Sequence, residues 1–393
     1  MTRSAVFGVF AVFAVAHFLS NFVRSANAVI AGDLVRDVGI GPADLGLMTS
    51  LYFLGFAAAQ LPLGAALDRY GARIVTPVLM LAAVAGSLAF GLGRDLATLA
   101  IGRALMGVGT AGILMGGLKA LSGWFAPLRF AAVSGTLVAI GSSGSLLAST
   151  PLAWMAQAFG WRAVFVVGAA LLALSAGAVA VWARSAPGVV HAQDRSEAGF
   201  GAVFRSPRLW RMAGMALATT GVTFAFQSLW AGPYLADGIG LGPLATGNVL
   251  LAFGVGVSVG YLILGALGER LGVGRTLFGA GVAFVAAQTV LATVPAAGEG
   301  VLASTFAVLG VSGATSALLF ALARNAFPLA LTGRAVTAVN LFMFTGGFAL
   351  QWGLGLWLDA GIGGHGSLFA LTAAMGVVAV AAFVPEMRRA SSE

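Results

Sequence analysis

The chain has 393 residues, of which 59% are apolar and only 9% charged, with a mean hydropathy of +0.98 and no cysteine. That composition excludes a soluble domain of this length, and the missing cysteines exclude disulfides, thiolate catalysis and sulfur-rich metal sites. The net charge of +8 and the pI near 11.1 do not point to nucleic acid, because the positive charges follow membrane topology.

About twelve apolar stretches reach bilayer-spanning length, which in lipid makes the chain an all-α membrane protein. Span 1 runs from Ser4 to Ala31 and carries the run His17 to Asn27. His17, Ser20, Asn21, Arg24 and Asn27 recur at spacings of three and four and share one helix face. The segment has no convincing small-residue cleavage site, so it reads as a retained helix. Span 2, Leu45 to Leu67, opens on Gly41-Pro42-Ala43-Asp44 and places Tyr52, Phe56 and Gln60 on one face. A tight turn through Gly64, Asp68, Arg69, Gly71 and Arg73 leads to span 3, which ends at Gly93. Span 4, Ala97 to Phe125, holds Arg103 and Lys119; span 5, Phe130 to Phe159, is rich in Gly and Ser; span 6 is Ala163 to Trp182.

The composition then turns polar, so residues 1–183 form one six-helix unit, 184–208 a cytoplasmic linker and 209–393 a second unit. The linker's end, Phe200 to Pro207, reads as a short interfacial helix or a solvated loop. Spans 7 to 12 end at Phe383, before a short basic tail. In span 7, Thr220, Thr223, Gln227, Trp230 and Tyr234 recur at helical spacing. They read either as a cavity wall or as a helix-packing stripe. Gln227, with two donors and an acceptor, is the preferred contact.

Lysine and arginine sort by loop, with fourteen on one side and only Arg36, Arg94 and Arg162 on the other. The bias predicts cytoplasmic termini. The four remaining cations, Arg24, Arg103, Lys119 and Arg324, lie within spans, where charge is costly and marks a bundle interior or a path for solute. The acidic residues all fall in loops, in tails or at span ends, so the intramembrane potential is positive and favours anions. Arg24 has an alternative reading as a snorkelling cation or a partner of Asp33.

The halves repeat. An offset of 201 residues carries Gly41-Pro42 to Gly242-Pro243, Gly64 to Gly265, Asp68-Arg69 to Glu269-Arg270 and Gly71 to Gly272. An offset of 205 carries Lys119 to Arg324 and Arg129 to Arg334. Such a duplication predicts two six-helix bundles related by a pseudo-two-fold axis along the membrane normal, with a binding site between them.

These residues resemble the major facilitator superfamily. Its loop signature is matched by Gly64, Asp68, Arg69, Gly71 and Arg73, repeated as Gly265, Glu269, Arg270, Gly272 and Arg275. Its fourth-helix signature is matched by Leu99, Arg103, Gly107 and Gly109. The resemblance implies a rocker-switch secondary transporter whose cavity is lined by spans 1, 4, 7 and 10. Val23-Arg24-Ser25-Ala26-Asn27, followed by Asp44-Leu45-Gly46, is similar to the anion-handling branches, the organophosphate:phosphate antiporters and the nitrate/nitrite porters. The antiporters' span 7 cation is absent from Thr223 to Trp230.

The expected substrate is therefore a small organic or inorganic anion, moved with protons or against a counter-anion; the alternative is a proton-driven exporter of drugs or metabolites. Expected substrate contacts are Arg24, His17, Asn21, Asn27, Tyr52, Gln60, Lys119, Gln227, Trp230 and Arg324. Lys119 and Arg324 form a basic entrance or else snorkel. His17, with an unperturbed pKa of about 6.5, reads either as the intramembrane proton carrier or as a neutral, hydrogen-bonded imidazole, and Arg103 either matches a position the resemblance links to proton coupling or is structural, bonded to a neighbour's carbonyls. Gly64, Asp68, Arg69, Gly71, Arg73, Glu269 and Arg270 are expected to latch the halves in one state. The GxGxxG at Gly107 to Gly112 lies inside a span with no preceding strand, so it reads as helix packing. No cofactor, metal or enzymatic motif is read. The expected setting is a bacterial inner membrane, and the architecture can work as a monomer.

Overall fold

The computed structural model describes residues 3–122, 124, 127–183, 200–293, 298–328 and 331–389. Residues 184–199 of the expected linker lie outside that set, as do the side chains of Arg3, Asp68 and Arg129. The chain forms two compact units, Met1–Gln193 and Asp194–Glu393.

In the first unit, span 1 comprises α1 (Arg3–Ser25) and α2 (Asn27–Val38), and spans 2, 3 and 4 are α3 (Pro42–Tyr70), α4 (Ala72–Leu92) and α5 (Leu96–Ser122). Span 5 is divided into α6 (Pro127–Ser142), α7 (Gly144–Leu147) and α8 (Thr150–Phe159), and span 6 is α9 (Trp161–Trp182). The second unit opens with α10 (Phe200–Phe204) and continues into α11 (Pro207–Ala216). Span 7 continues through α12 (Val222–Ala225) and α13 (Ala231–Pro233), and then come α14 (Pro243–Leu271) and α15 (Val273–Thr293). Span 10 is α16 (Glu299–Gly313) with α17 (Ser316–Ala326); α18 (Thr332–Asp359) and α19 (His365–Arg389) complete the chain. Among the described residues nine helices are long and apolar enough to cross a bilayer unaided, and the broken span 5 makes a tenth. The 29-residue α3 and the interrupted span 7 bring the spans to twelve.

The duplication is visible in the backbone. Helices α3 and α14 are both 29 residues long and start 201 positions apart; α4 and α15 are both 21 residues long at the same offset. Gly39 and Gly240 share positive φ values of 70° and 85°, and Gly71 and Gly272 share 75° and 88°. An L side chain is strained at such angles, so glycine recurs where each turn needs it. The packing repeats as well. A Cβ at Gly107 would collide with the Tyr52 carbonyl, and one at Gly310 with the Phe253 carbonyl; Gly55 and Gly256 stand in the same way against Ala104 and Ala307. A Cβ at Gly109 would strike Ala83, and one at Gly112 Leu79, so the GxGxxG glycines serve close helix approach.

Spans 1, 5, 7 and 10 are interrupted where continuous helices are expected, and span 12 runs longer than expected. Span 1 is interrupted at Ala26, where the Val23 and Arg24 carbonyls turn to Arg103. Span 5 bends by 44°. There Ser143 and Ser145 bond back to Ile140 and Ser142 carbonyls at 2.6 and 2.7 Å, and Pro151 has no amide to give. Span 7 contains three wide π turns, Leu217–Gly221, Phe226–Trp230 and Tyr234–Gly238. Thr219 and Ser228 place hydroxyls on the Met215 and Phe224 carbonyls, at 2.7 and 2.5 Å, in competition with the helical amides. Pro233 withholds an amide just before the third turn. Span 10 breaks at Ala314–Thr315. Span 12 continues past Phe383 to Arg389, so the expected basic tail is helical as far as Arg389.

Candidate functional site

In the first unit the site is built on the last two turns of α1. Asn21 Nδ2 donates to the His17 carbonyl at 3.0 Å and lies 3.5 Å from His17 Nδ1, while Arg24 NH2 donates to Asn21 Oδ1 at 2.8 Å. Asn21 is thus the bridge between the imidazole and the guanidinium. His17 and Arg24 are half-buried; Ser20 and Asn21 are buried. Gly141 of α6 makes room for the imidazole, since a Cβ there would collide with it. Arg24 occupies the last turn of α1, where the carbonyl ends of the helix favour a cation.

Arg103 lies directly behind this face and is fully buried. Its NH1 donates to the Val23 carbonyl at 2.8 Å and its NH2 to the Arg24 carbonyl at 3.4 Å. Its guanidinium carbon lies 5.0 Å from the Tyr52 ring centroid and 5.9 Å from that of Phe90. The desolvated cation is therefore held through NH1 and NH2 by carbonyls at the break in span 1 and by aromatic faces, while its buried Nε makes no hydrogen bond among the described residues. At the equivalent place in the second unit Phe306 meets Phe253 edge to face at 5.5 Å, so the cationic arrangement belongs to the first unit alone.

Several expected contacts are engaged in holding helices together. Asn27 is fully buried and donates to Thr49 Oγ1 at 3.1 Å, past the break that separates it from the Arg24 face. Tyr52 shares a 2.8 Å hydrogen bond with Thr110, and Gln60 Nε2 reaches the Ala111 carbonyl at 3.4 Å, both joining α3 to α5. Trp230, 1% exposed, donates to the Gln351 carbonyl at 2.9 Å, and Tyr234 to the Leu291 carbonyl at 2.7 Å. Thr220 meets Thr315 at 3.1 Å, and Thr223 fills the space beside Gly313. Buried Gln227 lies within the second π turn. The span 7 stripe thus has the geometry of helix packing.

Lys119 is half-buried in the last turn of α5, and Arg324 is exposed in the last turn of α17. Around the Gly71 turn, Arg69 lies 5.2 Å from the Tyr70 ring and Arg73 Nε donates to the Ala180 carbonyl at 2.8 Å. Gly64 and Gly265 have open space where a Cβ would be, and Glu269 and Arg270 are exposed.

Two clusters escape sequence reasoning. Glu386, expected in the tail, is fully buried in α19; it accepts from Arg208 Nε at 2.7 Å and lies 3.7 Å from Arg211 NH1. Arg208 also donates to the Ala326 carbonyl at 3.3 Å, so this carboxylate ties the start of span 7 to the ends of spans 10 and 12. The pairing of Arg208 and Arg211 at a three-residue spacing on α11 was the available signal. In the first unit, Asp37 at the end of α2 accepts from Trp161 Nε1 at 3.0 Å and from Arg162. The Trp161 hydrogen bond, then that of Arg162, holds its carboxyl below the usual range.

The family model for the Major Facilitator Superfamily matches residues 13–350. Curated relatives include the hexuronate transporter of Bacillus subtilis, 29% identical over 37% of this chain and 34% of its own length. The 4-hydroxybenzoate transporter PcaK of Acinetobacter baylyi is 30% identical over 38% and 33%, and the nitrate/nitrite transporter NrtP of Picosynechococcus is 29% identical over 33% and 24%. The chain thus matches about a third or less of the length of these relatives. Among solved structures, a bacterial homologue of the human lysosomal transporter Spinster, inward-facing and occupied, superposes with a TM-score of 0.79 at 15% identity over 99% of this chain and 98% of that one. The nucleoside transporter NupG, as a D323A mutant, gives 0.76 at 14% identity over 96% and 99%.

Proposed function

Because the chain belongs to the major facilitator superfamily, whose members are transporters, we propose that it carries a small organic or inorganic anion by alternating access, coupled to protons or to counter-anion exchange. The observation that carries this reading is the His17–Asn21–Arg24 chain of contacts on α1, in a span with no acidic residue before Asp33. Asn21 fixes one guanidinium nitrogen, and a planar carboxylate or nitrate is the partner that a guanidinium fork grips with two parallel bonds. Lys119 and Arg324 supply a positive approach at the helix ends, and the Gly71 and Gly272 turns serve as conformational latches. His17, joined to Arg24 through Asn21, is the group that takes the coupled proton once a bound anion offsets the Arg24 charge. Relatives named for hexuronate, L-galactonate and 4-hydroxybenzoate support a carboxylate. The proposed setting is a bacterial inner membrane with both termini cytoplasmic, following the arginine bias.

A second reading, export of an apolar cargo or metabolite, has support from relatives named as triacylglyceride transporters of mycobacteria, 30% and 29% identical over 35% and 42% of this chain. Uptake into proteoliposomes separates the two. The anion reading expects accumulation of a sugar acid but not of the matching neutral sugar, and loss of accumulation when neither a pH gradient nor an internal anion is supplied. Equal uptake of both solutes contradicts it.

A further inference from the structure

A cleft of about 530 Å³ opens at the end of the first unit opposite the Gly71 turn, where α2 and α4 finish and α9 begins. Asp37, Leu92, Arg94, Arg162 and Val166 line it. Its charges are unbalanced. Arg162 pairs with Asp37 and lies 4.3 Å from the Trp161 ring, so those two charges offset one another. Arg94 follows the end of α4, is exposed, and makes no hydrogen bond or ion pair among the described residues. Its neighbour Asp95 is engaged elsewhere, accepting from the Thr98 amide at 2.9 Å and hydroxyl at 2.8 Å to cap α5. The cleft therefore holds one net positive charge.

The surroundings are apolar. Leu92, which lines the cleft, is 67% exposed, and α4 also exposes Leu88 one turn further on. On α9, Val167, Leu171 and Leu174 are likewise exposed. A free anion would engage only the cation. A molecule with a phosphate head and hydrocarbon chains engages both the cation and the exposed rows.

We propose that this cleft holds the headgroup of an anionic phospholipid, with its phosphodiester on Arg94 beside the Arg162–Asp37 pair and its chains along Leu88, Leu92, Val167 and Leu171. The site is separate from the His17–Arg24 face, and its test does not depend on transport. The purified full chain is placed in phosphatidylcholine bilayers with a rising fraction of phosphatidylglycerol, and retained lipids are counted by native mass spectrometry.

Wild type is expected to retain phosphatidylglycerol over phosphatidylcholine, and R94Q to lose that preference about five-fold, the worth of one interfacial arginine. Arg94→Lys, which keeps the charge, retains it. Thermal unfolding in pure phosphatidylcholine is the same for all three proteins. Unchanged phosphatidylglycerol retention in R94Q overturns the proposal, as does displacement of the lipid by soluble glycerophosphate, which identifies a site for free anions.

Discussion

Arg103 donates to the carbonyl oxygen of Val23 at 2.8 Å, across the full separation between span 4 and span 1. The bond is made at the helix end that carries Arg24, so the buried arginine fixes the backbone from which the half-buried one projects. Replacing Arg103 with Ala leaves two carbonyls without these donors and removes a cation from the Tyr52 and Phe90 faces. A loss of about 3 kcal/mol is expected, read as a lowered unfolding temperature. Arg103→Lys recovers only part of it, because a point charge cannot serve both carbonyls.

Gly107 and Gly310 hold equivalent close approaches in the two units. Gly107→Ala and Gly310→Ala should each destabilise by about 1–3 kcal/mol, because the new methyl meets backbone that cannot rotate away. Gly64→Ala and Gly265→Ala, inside helices where a Cβ has open space, should not destabilise and should raise stability by up to about 1 kcal/mol. Thermal melts of the four variants check the contrast.

How far the sequence alone revealed these features depends on the scale. Hydropathy and the 201-residue offset were enough for twelve spans in two repeats, because lipid imposes length and helicity on every span. The interruptions were not legible. Ala26 carries no breaking signal of its own, and its cause, Arg103, lies 77 residues away. His17, Asn21 and Arg24 were found from spacing, because they lie within two turns of one helix. Asn27, three residues further on, satisfied the same spacing yet bonds Thr49, because the helix stops before reaching it. Trp230 and Tyr234 show a related limit, since spacing places side chains on a face and cannot tell which partner that face meets.

Fully buried Glu386 pairs with half-buried Arg208, and although the Arg208–Arg211 spacing signals a cationic face, nothing in the sequence places Glu386 against it. Glu386→Ala should cost about 3 kcal/mol by leaving Arg208 and Arg211 without their carboxylate. The effects of Glu386→Ala and Arg208→Ala should be strongly non-additive in a double-mutant cycle, because each removes the same bond. Simple additivity contradicts the pairing.

Asp37 adds a pH dependence. Its carboxyl is held below the ordinary value of 3.8, so its contribution is present above that value and disappears as pH falls through the lower folded-state value. Asp37→Asn should melt below wild type near neutrality, and the two melting curves should converge as the pH falls from neutrality to below the ordinary carboxylate range. A constant gap across that range contradicts the role given to the Trp161 and Arg162 contacts.

The most direct test of the account is ligand-dependent unfolding of wild type and Arg24→Ala against a panel of carboxylates, nitrate, phosphate esters and neutral apolar compounds. A ligand at about 100 times its dissociation constant adds about 2.7 kcal/mol of stability, enough to read as a shift in melting temperature. The account predicts that an anion stabilises wild type and not Arg24→Ala, while the unliganded proteins melt alike. Stabilisation of both proteins to the same extent, by an anion or by apolar compounds alone, contradicts it and leaves Arg24 a structural cation.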